Sequence, residues 1–345
     1  VYILIRRIFV LVNCLVLALT VVACASLEQK PMQAGSNETA SLPSSNRISS
    51  IGGRTTLTLY FRNDNYIPDN PDSKPVIPVT RTVPQEKLTA RATLQALITG
   101  PEQRERNESA AGPVINNKGL QIDDIYIKNK ICVIHLSSPH HLPLYDYKNQ
   151  AVAQAETVFT QSLVRSLAET VQVEAVWLFQ NGDPWQGNTV DWLCPLAPPG
   201  GGINYTLYFY EEIADDYSPS LKAGNLKPVQ IRLISSGVTG TTECSFNKII
   251  ELLSKDYDEA HRAPLSDGVH VLDYTLHDHL LTINLVGSSP DSSQSARVFA
   301  KALVYTFTEL PEIDALLVTR EGQVWSDGNI RWEYPFCRDD FEEKK

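Results

Sequence analysis

Histidines, and one serine paired with a lysine, are the residues of this chain best equipped for chemistry. "SPHHLPLYD" sets His140 and His141 near Asp146, "HVLDYTLHDH" carries His270, His277 and His279, and "SFNK" places Ser245 three residues before Lys248. A zinc site needs three or four converging ligands, and adjacent histidines in an extended loop point apart. His277 and His279 share a strand face beside a turn, the other place a metal would be sought. The Ser-x-x-Lys spacing could hold a nucleophile and its base, but Ser245 also stands where a helix takes its N-cap. No G-x-S-x-G elbow, G-x-G-x-x-G turn or P-loop accompanies these residues. The sequence therefore predicts no catalytic residue, no metal site and no cofactor, and the chain is expected not to be an enzyme.

Cys132, Cys194, Cys244 and Cys337 follow no CxxC spacing. Cys132 falls on the inward face of a strand and is expected to be an inert, buried thiol. Cys194 and Cys337 each stand at the end of a repeated unit, and they are the pair expected to join if a disulfide forms. Such a bond requires a compartment outside the cytoplasm.

That compartment is also indicated by the beginning of the chain. Arg6 and Arg7 precede an apolar run that ends in "VVAC", with Ala23 just before Cys24. This order resembles the lipobox of bacterial lipoproteins, and it implies a signal peptide over residues 1–23 and a lipid on Cys24. Residues 24–54, rich in Ser, Asn, Gln and Pro, read as a tether from an extracytoplasmic membrane surface. The net charge of −10 contains no Lys/Arg-rich run, which argues against nucleic acid as a partner.

The elements that must position any site are legible from a repeat. "WQGNTVDWLCP" and "WSDGNIRWEYP" align at one offset, pairing Trp185 with Trp325, Trp192 with Trp332 and Pro195 with Pro335. Upstream, "TLTLYF" and "NYTLYFYEE" alternate as half-buried strands. "LTARATLQALITGP" and "CSFNKIIELLSKD" have helical spacing, and two hairpins follow, whose second strands align Cys132, Ile134 and Leu136 with Leu281, Ile283 and Leu285. A longer helix carries Phe159, Leu163 and Leu167 in one copy and Ala296, Phe299, Leu303 and Phe307 in the other. A last strand closes each unit.

The fold class is therefore α/β (α+β). Two tandem split β-α-β-β-α-β modules are expected over residues 55–195 and 203–336, each a small sheet with two helices on one face, and a charged tail over residues 337–345. On the other sheet face, the outward residues Tyr60, Ile131, Val133 and Trp177 are apolar enough to suggest a covering partner. The repeated tryptophans either staple each extension to its sheet or stack on the sugars of peptidoglycan.

These residues resemble a known family. The "LYF" strand, the arginine of the next segment, a helix ending "TGP", a hairpin running into Ser-Pro and a long helix before the last strand are similar to a GerMN domain. With the lipobox, the chain resembles the GerM-type sporulation and germination lipoproteins that carry two such domains. "SKD" in the second copy departs from "TGP". The family's likeness to ring-building modules implies assembly with envelope or sporulation-complex proteins at the membrane. A peptidoglycan-binding or remodelling lipoprotein is the alternative.

Overall fold

Strand β1 (Arg54–Asn63) alternates as its sequence requires, with Leu57, Leu59 and Phe61 fully buried. It pairs antiparallel with β2 (Val76–Pro84) in an unbroken register from Arg54 opposite Pro84 to Arg62 opposite Val76. Helix α1 (Thr89–Thr99) buries Ala90, Leu94, Leu97 and Ile98. A second short helix, α2 (Gln103–Ser109), has no apolar periodicity in its sequence QRERNES, and that leaves it illegible before folding. Arg81 of β2 holds it with a bidentate, mostly buried pair to Glu105 at 2.5 and 3.0 Å. The module continues through β3 (Ala111–Gly112), β4 (Gln121–Lys128), β5 (Ile131–Ser137), the long helix α3 (Val152–Val171), β6 (Ala175–Gln180) and β7 (Asp183–Pro184).

The second module repeats this order with β8 (Gly202–Glu211), β9 (Leu226–Ile234), α4 (Ser245–Leu253), β10 (His261–Arg262), β11 (His270–His277), β12 (Leu280–Val286), α5 (Ser293–Phe307), β13 (Ala315–Arg320) and β14 (Gln323–Val324). A small hairpin, β15 (Ser326–Asp327) with β16 (Ile330–Arg331), follows. The computed structural model describes residues 53–68, 70–85, 89–115, 119–142, 152–190, 192–211, 226–234, 245–287, 293–327 and 330–342. Residues 1–52 with Cys24, together with Asp146, Cys244 and the side chain of Ser245, lie outside the described residues, and Arg54, read from the sequence as the end of a tether, is the first residue of β1.

The doubled mixed α/β module stands, but each module divides its strands between two sheets. Strand orders are β2-β1-β3 and β4-β5-β6-β7 in the first, β10-β8-β9 and β11-β12-β13-β14 in the second. The reason is helix α3, which takes the place of a strand beside β1. Ser166 Oγ accepts the Tyr60 amide at 2.8 Å, Thr170 Oγ1 accepts the Thr58 amide at 3.2 Å, and the Ser162 hydroxyl donates to the Tyr60 carbonyl. Hydroxyls thus satisfy an edge that would otherwise seek another strand. In the second copy Thr306 accepts the Tyr208 amide at 3.2 Å in the same way.

Within each four-stranded sheet a hairpin is followed by a parallel crossover through the long helix. Both hairpin turns place two non-glycine residues in the left-handed region, Asn129 and Lys130 at φ 52° and 61°, Asp278 and His279 at 47° and 61°. That mirror-image turn matches the twist of the flanking strands. Cys132, Ile134, Leu136, Leu281, Ile283 and Leu285 are all buried as the alternation predicts. Burial pushes the Cys132 thiol up to about 12, which keeps it unreactive.

All four repeated tryptophans are buried, with at most 6% exposure. The Trp192 amide donates to the Trp185 carbonyl at 3.0 Å, and the Trp332 amide to the Trp325 carbonyl at 2.8 Å. Beyond them Leu196 pairs with Val176, and Phe336 with Leu316, by matching antiparallel bridges. The extensions therefore staple the modules, and their indole faces offer no sugar platform. In the first copy the staple is closed by Glu156 of α3, which accepts four hydrogen bonds of 2.6 to 2.9 Å from Asn188 and Thr189. Its carboxylate touches the backbone so closely that a Cβ at Gly187 would meet it at 2.8 Å.

Candidate functional site

Four of the residues singled out for chemistry, His140, His141, His277 and His279, lie at or beside the seam between the modules, whereas Lys248 pairs with Glu251 on α4. The outer face of the first module's β4–β7 sheet is closed by the second module rather than open to solvent. Val133 and Trp177 are 0% exposed and Ile131 is 2% exposed. They pack in one apolar cluster with Tyr205, Leu207 and Ile283 of the second module. The expectation that Val133 and Trp177 form a partner surface is therefore corrected: their partner is the rest of the same chain. Tyr60 is likewise covered, by its own helix α3, with its hydroxyl donating to Glu169. Burial, then the Glu169 carboxylate, pushes its phenol up to about 12.

The same face of the second module is different. Thr282, Asn284, Leu317 and Thr319 occupy the places of Val133, His135, Trp177 and Phe179, and all four are half-exposed. Only the covered copy is strongly apolar. This contrast between the copies is the sequence signal that distinguishes an internal seam from an external docking face.

Three carboxylates pin the seam. Glu312, in the loop between α5 and β13 and 3% exposed, accepts the Tyr126 hydroxyl of β4, lies 3.2 Å from His135 Nε2 of β5, and lies 3.3 Å from His279 Nδ1. Glu174 accepts both the amide and the side-chain nitrogen of Asn204 at 3.1 and 2.7 Å, and binds Lys130 at 3.0 Å. Asp183 meets His277 at 2.8 Å. The Asn129 side chain adds a bond to the Glu309 carbonyl at 2.9 Å. Of these groups sequence reasoning singled out His277 and His279. It missed Glu312, Glu174 and Tyr126, because their partners lie in the other module and no local pattern marks them.

Beside the seam is a cleft of about 560 Å³ lined by His140, His141, Asp183, Trp185, Tyr274 and His277. The two histidine stretches thus face a common space, which neither suggested alone. They do not converge as metal ligands: among the described residues no group of three or more His, Cys, Asp or Glu side chains is placed to hold a metal ion. His141 turns its ring edge-on to Trp185, with centroids 5.9 Å apart. His270 Nδ1 lies 3.0 Å from the Gly268 carbonyl. The expected disulfide is also corrected. Cys194 is disulfide-bonded, but Cys337 is a free thiol 3.4 Å from Asp340 Oδ2, held in the last turn of the chain.

The seam has a definite response to pH. The hydrogen bond to Glu312 raises the His135 imidazole above its ordinary 6.5, against the opposing effect of burial. Burial alone would raise Glu312, but the bonds from His135 and Tyr126 outweigh it and hold the carboxyl below its ordinary 4.5. Stability from His135 is fully present below about 6.5 and is lost as pH rises through its folded pKa. Stability from Glu312 is present above about 4.5 and is lost as pH falls through its folded pKa. The seam is expected to be strongest between those values, and urea midpoints measured from pH 3 to 9 should decline on both sides of that window. A flat profile from pH 5 to 9 would remove His135 from the account.

A family model described as "Germane: Sporulation and spore germination" matches residues 58–186 and 206–324, which together make up more than half of the chain. The chain belongs to the Germane family. The two matches coincide with the two modules, so the doubled fold and the family agree on one boundary. Among solved structures, the tandem GerMN domains of the sporulation protein GerM from Bacillus subtilis are similar over 83% of this chain and 97% of that one, at 17% identity and TM-score 0.29. The first GerMN domain of the same protein matches over 48% of this chain and 98% of that one, at 18% identity and TM-score 0.28. A candidate lipoprotein from Clostridium perfringens matches over 41% and 90%, at 19% identity and TM-score 0.26. No curated protein sequence matches the chain. This chain is thus a sporulation- or germination-related protein of two Germane modules.

Proposed function

We propose that this Germane protein is a non-enzymatic envelope lipoprotein, anchored outside the cytoplasm through Cys24, that acts in sporulation or germination by binding other proteins as one rigid double module. The observation that carries the reading is the use made of its reactive side chains. His135, His279, Tyr126 and Glu312 spend their polar capacity on one another across the seam, and His277 spends its own on Asp183. Groups held this way position two modules. They do not aim an acid, a base and a nucleophile at a common point. A peptide anchor and rigid modules suit a scaffold, for which a lipid provides peripheral attachment without a span.

Replacing Cys24→Ala is expected to move the protein from the membrane fraction to a soluble or unprocessed form and to prevent labelling by a palmitate analogue. A labelled, membrane-bound variant would refute the anchor. The non-enzymatic part is tested separately. Purified protein should release no fragments from peptidoglycan, and hydrolysis that disappears when His140 and His141 are both replaced would make the protein an enzyme acting through the seam cleft.

A further inference from the structure

A second cleft, of about 670 Å³, lies away from the seam on the first module, between the β1–β2 connection and one face of α3. Tyr66, Pro71, Lys74, Gln161, Arg165 and Pro199 line it. Gln161 is only 9% exposed, and its side-chain amide keeps access to solvent and forms no hydrogen bond among the described residues. An incoming donor or acceptor would bond it in exchange for water. Lys74 is exposed and Arg165 half-exposed, and neither forms an ion pair among the described residues. The Arg165 guanidinium lies 5.5 Å from the Tyr60 ring centroid. The cleft is therefore basic and partly apolar, with one amide at its wall.

What belongs there is indicated by the second module. Residues Arg297, Lys301 and Tyr305 of α5 stand where Thr157, Gln161 and Arg165 stand on α3, in the alignment fixed by the equivalent bonds of Ser166 and Thr306. In the second module this face is covered by the chain's own final turn, Arg338–Phe341. Phe341 is 5% exposed, with the Arg297 guanidinium 6.0 Å from its ring centroid. Arg338 donates to the Tyr305 carbonyl at 2.8 Å and to Thr308 Oγ1 at 2.7 Å. Burial, then the charges of Glu342 just past the turn and of Asp339 within it, push the Tyr305 phenol up, against the opposing charge of Arg338. In the first module the matching segment is "LAPPGGG", and it departs into β8 with Pro199 at the rim of the cleft. The first module thus has the helix face without its cover.

We propose that the α3 cleft binds an acidic, aromatic-bearing peptide segment of a partner protein, in the place that Arg338–Phe341 fills on the second module. The carboxylates would meet Lys74 and Arg165, the ring would lie among Tyr66 and the prolines, and a main-chain amide would satisfy Gln161. The inference rests on the assembly reading for the nature of its ligand, and it adds the site and the chemistry.

The test is anisotropy of a fluorescein-labelled peptide RDDFEE, the sequence of residues 338–343, titrated with the purified full chain. Saturable binding is expected. Lys74→Glu, at an exposed position, and Gln161→Glu should each weaken it about tenfold or more, because the first puts like charge in place of complementary charge and the second puts like charge in place of a neutral amide. Replacing the peptide's phenylalanine by alanine should do the same. Thermal unfolding of both variants monitors the fold, and Lys74→Glu keeps the test open if Gln161→Glu is unstable. No binding to the parent chain, or binding unchanged in Lys74→Glu, would overturn the proposal. So would a muropeptide binding in place of the peptide and lost in Lys74→Glu, which would make the cleft a cell-wall site. Dimerisation lost in that variant, without peptide binding, would make the occupant a second copy. The assembly reading fails on different grounds: the anchored chain, crosslinked during sporulation, would capture no specific protein while Lys74→Glu and the parent behave alike.

Discussion

Trp177→Asp is expected to unfold the double module. The side chain is 0% exposed, packs between the first sheet and the second module, and donates from Nε1 to the Trp192 carbonyl at 2.8 Å. Truncating a buried tryptophan costs about 3–5 kcal/mol. A buried carboxylate without a partner adds several more, on the order of the whole stability of a domain. The expected result is loss of the cooperative urea transition at 25 °C. Leu317→Asp is the control at the matching position of the second module. That residue is half-exposed, so its loss should stay within about 1–2 kcal/mol. If both variants retained the parent's midpoint, the seam would be an open contact and not a shared core.

The second large effect is expected from Glu312→Ala. The substitution leaves the Tyr126 hydroxyl and His135 Nε2 facing each other without an acceptor, while the more exposed His279 can turn to water. Removing one member of a buried charged network costs about 3–5 kcal/mol. Glu312→Gln keeps the shape and one acceptor, and it should lose roughly half as much by retaining a neutral hydrogen bond. A further signature separates this from simple loss of packing. Without the carboxylate His135 loses the largest cause of its raised pKa and keeps only the lesser effects of Asp124 and Asp123 against burial, so the decline in stability above pH 6.5 should shrink markedly in the alanine variant. Persistence of that decline in full would mean that another group titrates at the seam.

The first of these predictions reverses an expectation drawn from the alternation of residues. Val133 and Trp177 are legible as outward and apolar, and the need for a cover follows directly. The identity of the cover does not follow, since period-two alternation states only that a face must be buried. The copies held more information than either alone. Where the first has Val133, Trp177 and Phe179, the second has Thr282, Leu317 and Thr319, and only one of two equivalent faces can lie inside a tandem. His135 is legible as polar and interfacial, and its position above Glu312 is consistent with that. Glu312 itself lies in a loop with no periodicity, and its partners are 177 and 186 residues away.

The disulfide fails for a related reason. Cys194 and Cys337 each stand at the end of a repeated unit, but the repeat aligns Cys194 with Tyr334 and Cys337 with Ala197, and the ends of successive units are not neighbours by virtue of the repeat. Cys337 instead belongs to the final turn, beside Asp340. Helix α2 escaped notice because it is held by the Arg81–Glu105 pair and not by an apolar stripe.

By itself, the sequence determined what depends on local periodicity: the repeat, the element order, the inward faces of β5, β12, α3 and α5, and the stapling residues Trp185, Trp192, Trp325 and Trp332. Those follow from burying apolar side chains at fixed spacing along one element. Only the tertiary structure decided that α3 replaces a strand beside β1, that one module closes the other, and that Glu312, Glu174 and Asp183 tie them. Such contacts join side chains far apart in the chain. Their geometry is set by how two finished surfaces meet, and no spacing along the chain encodes it.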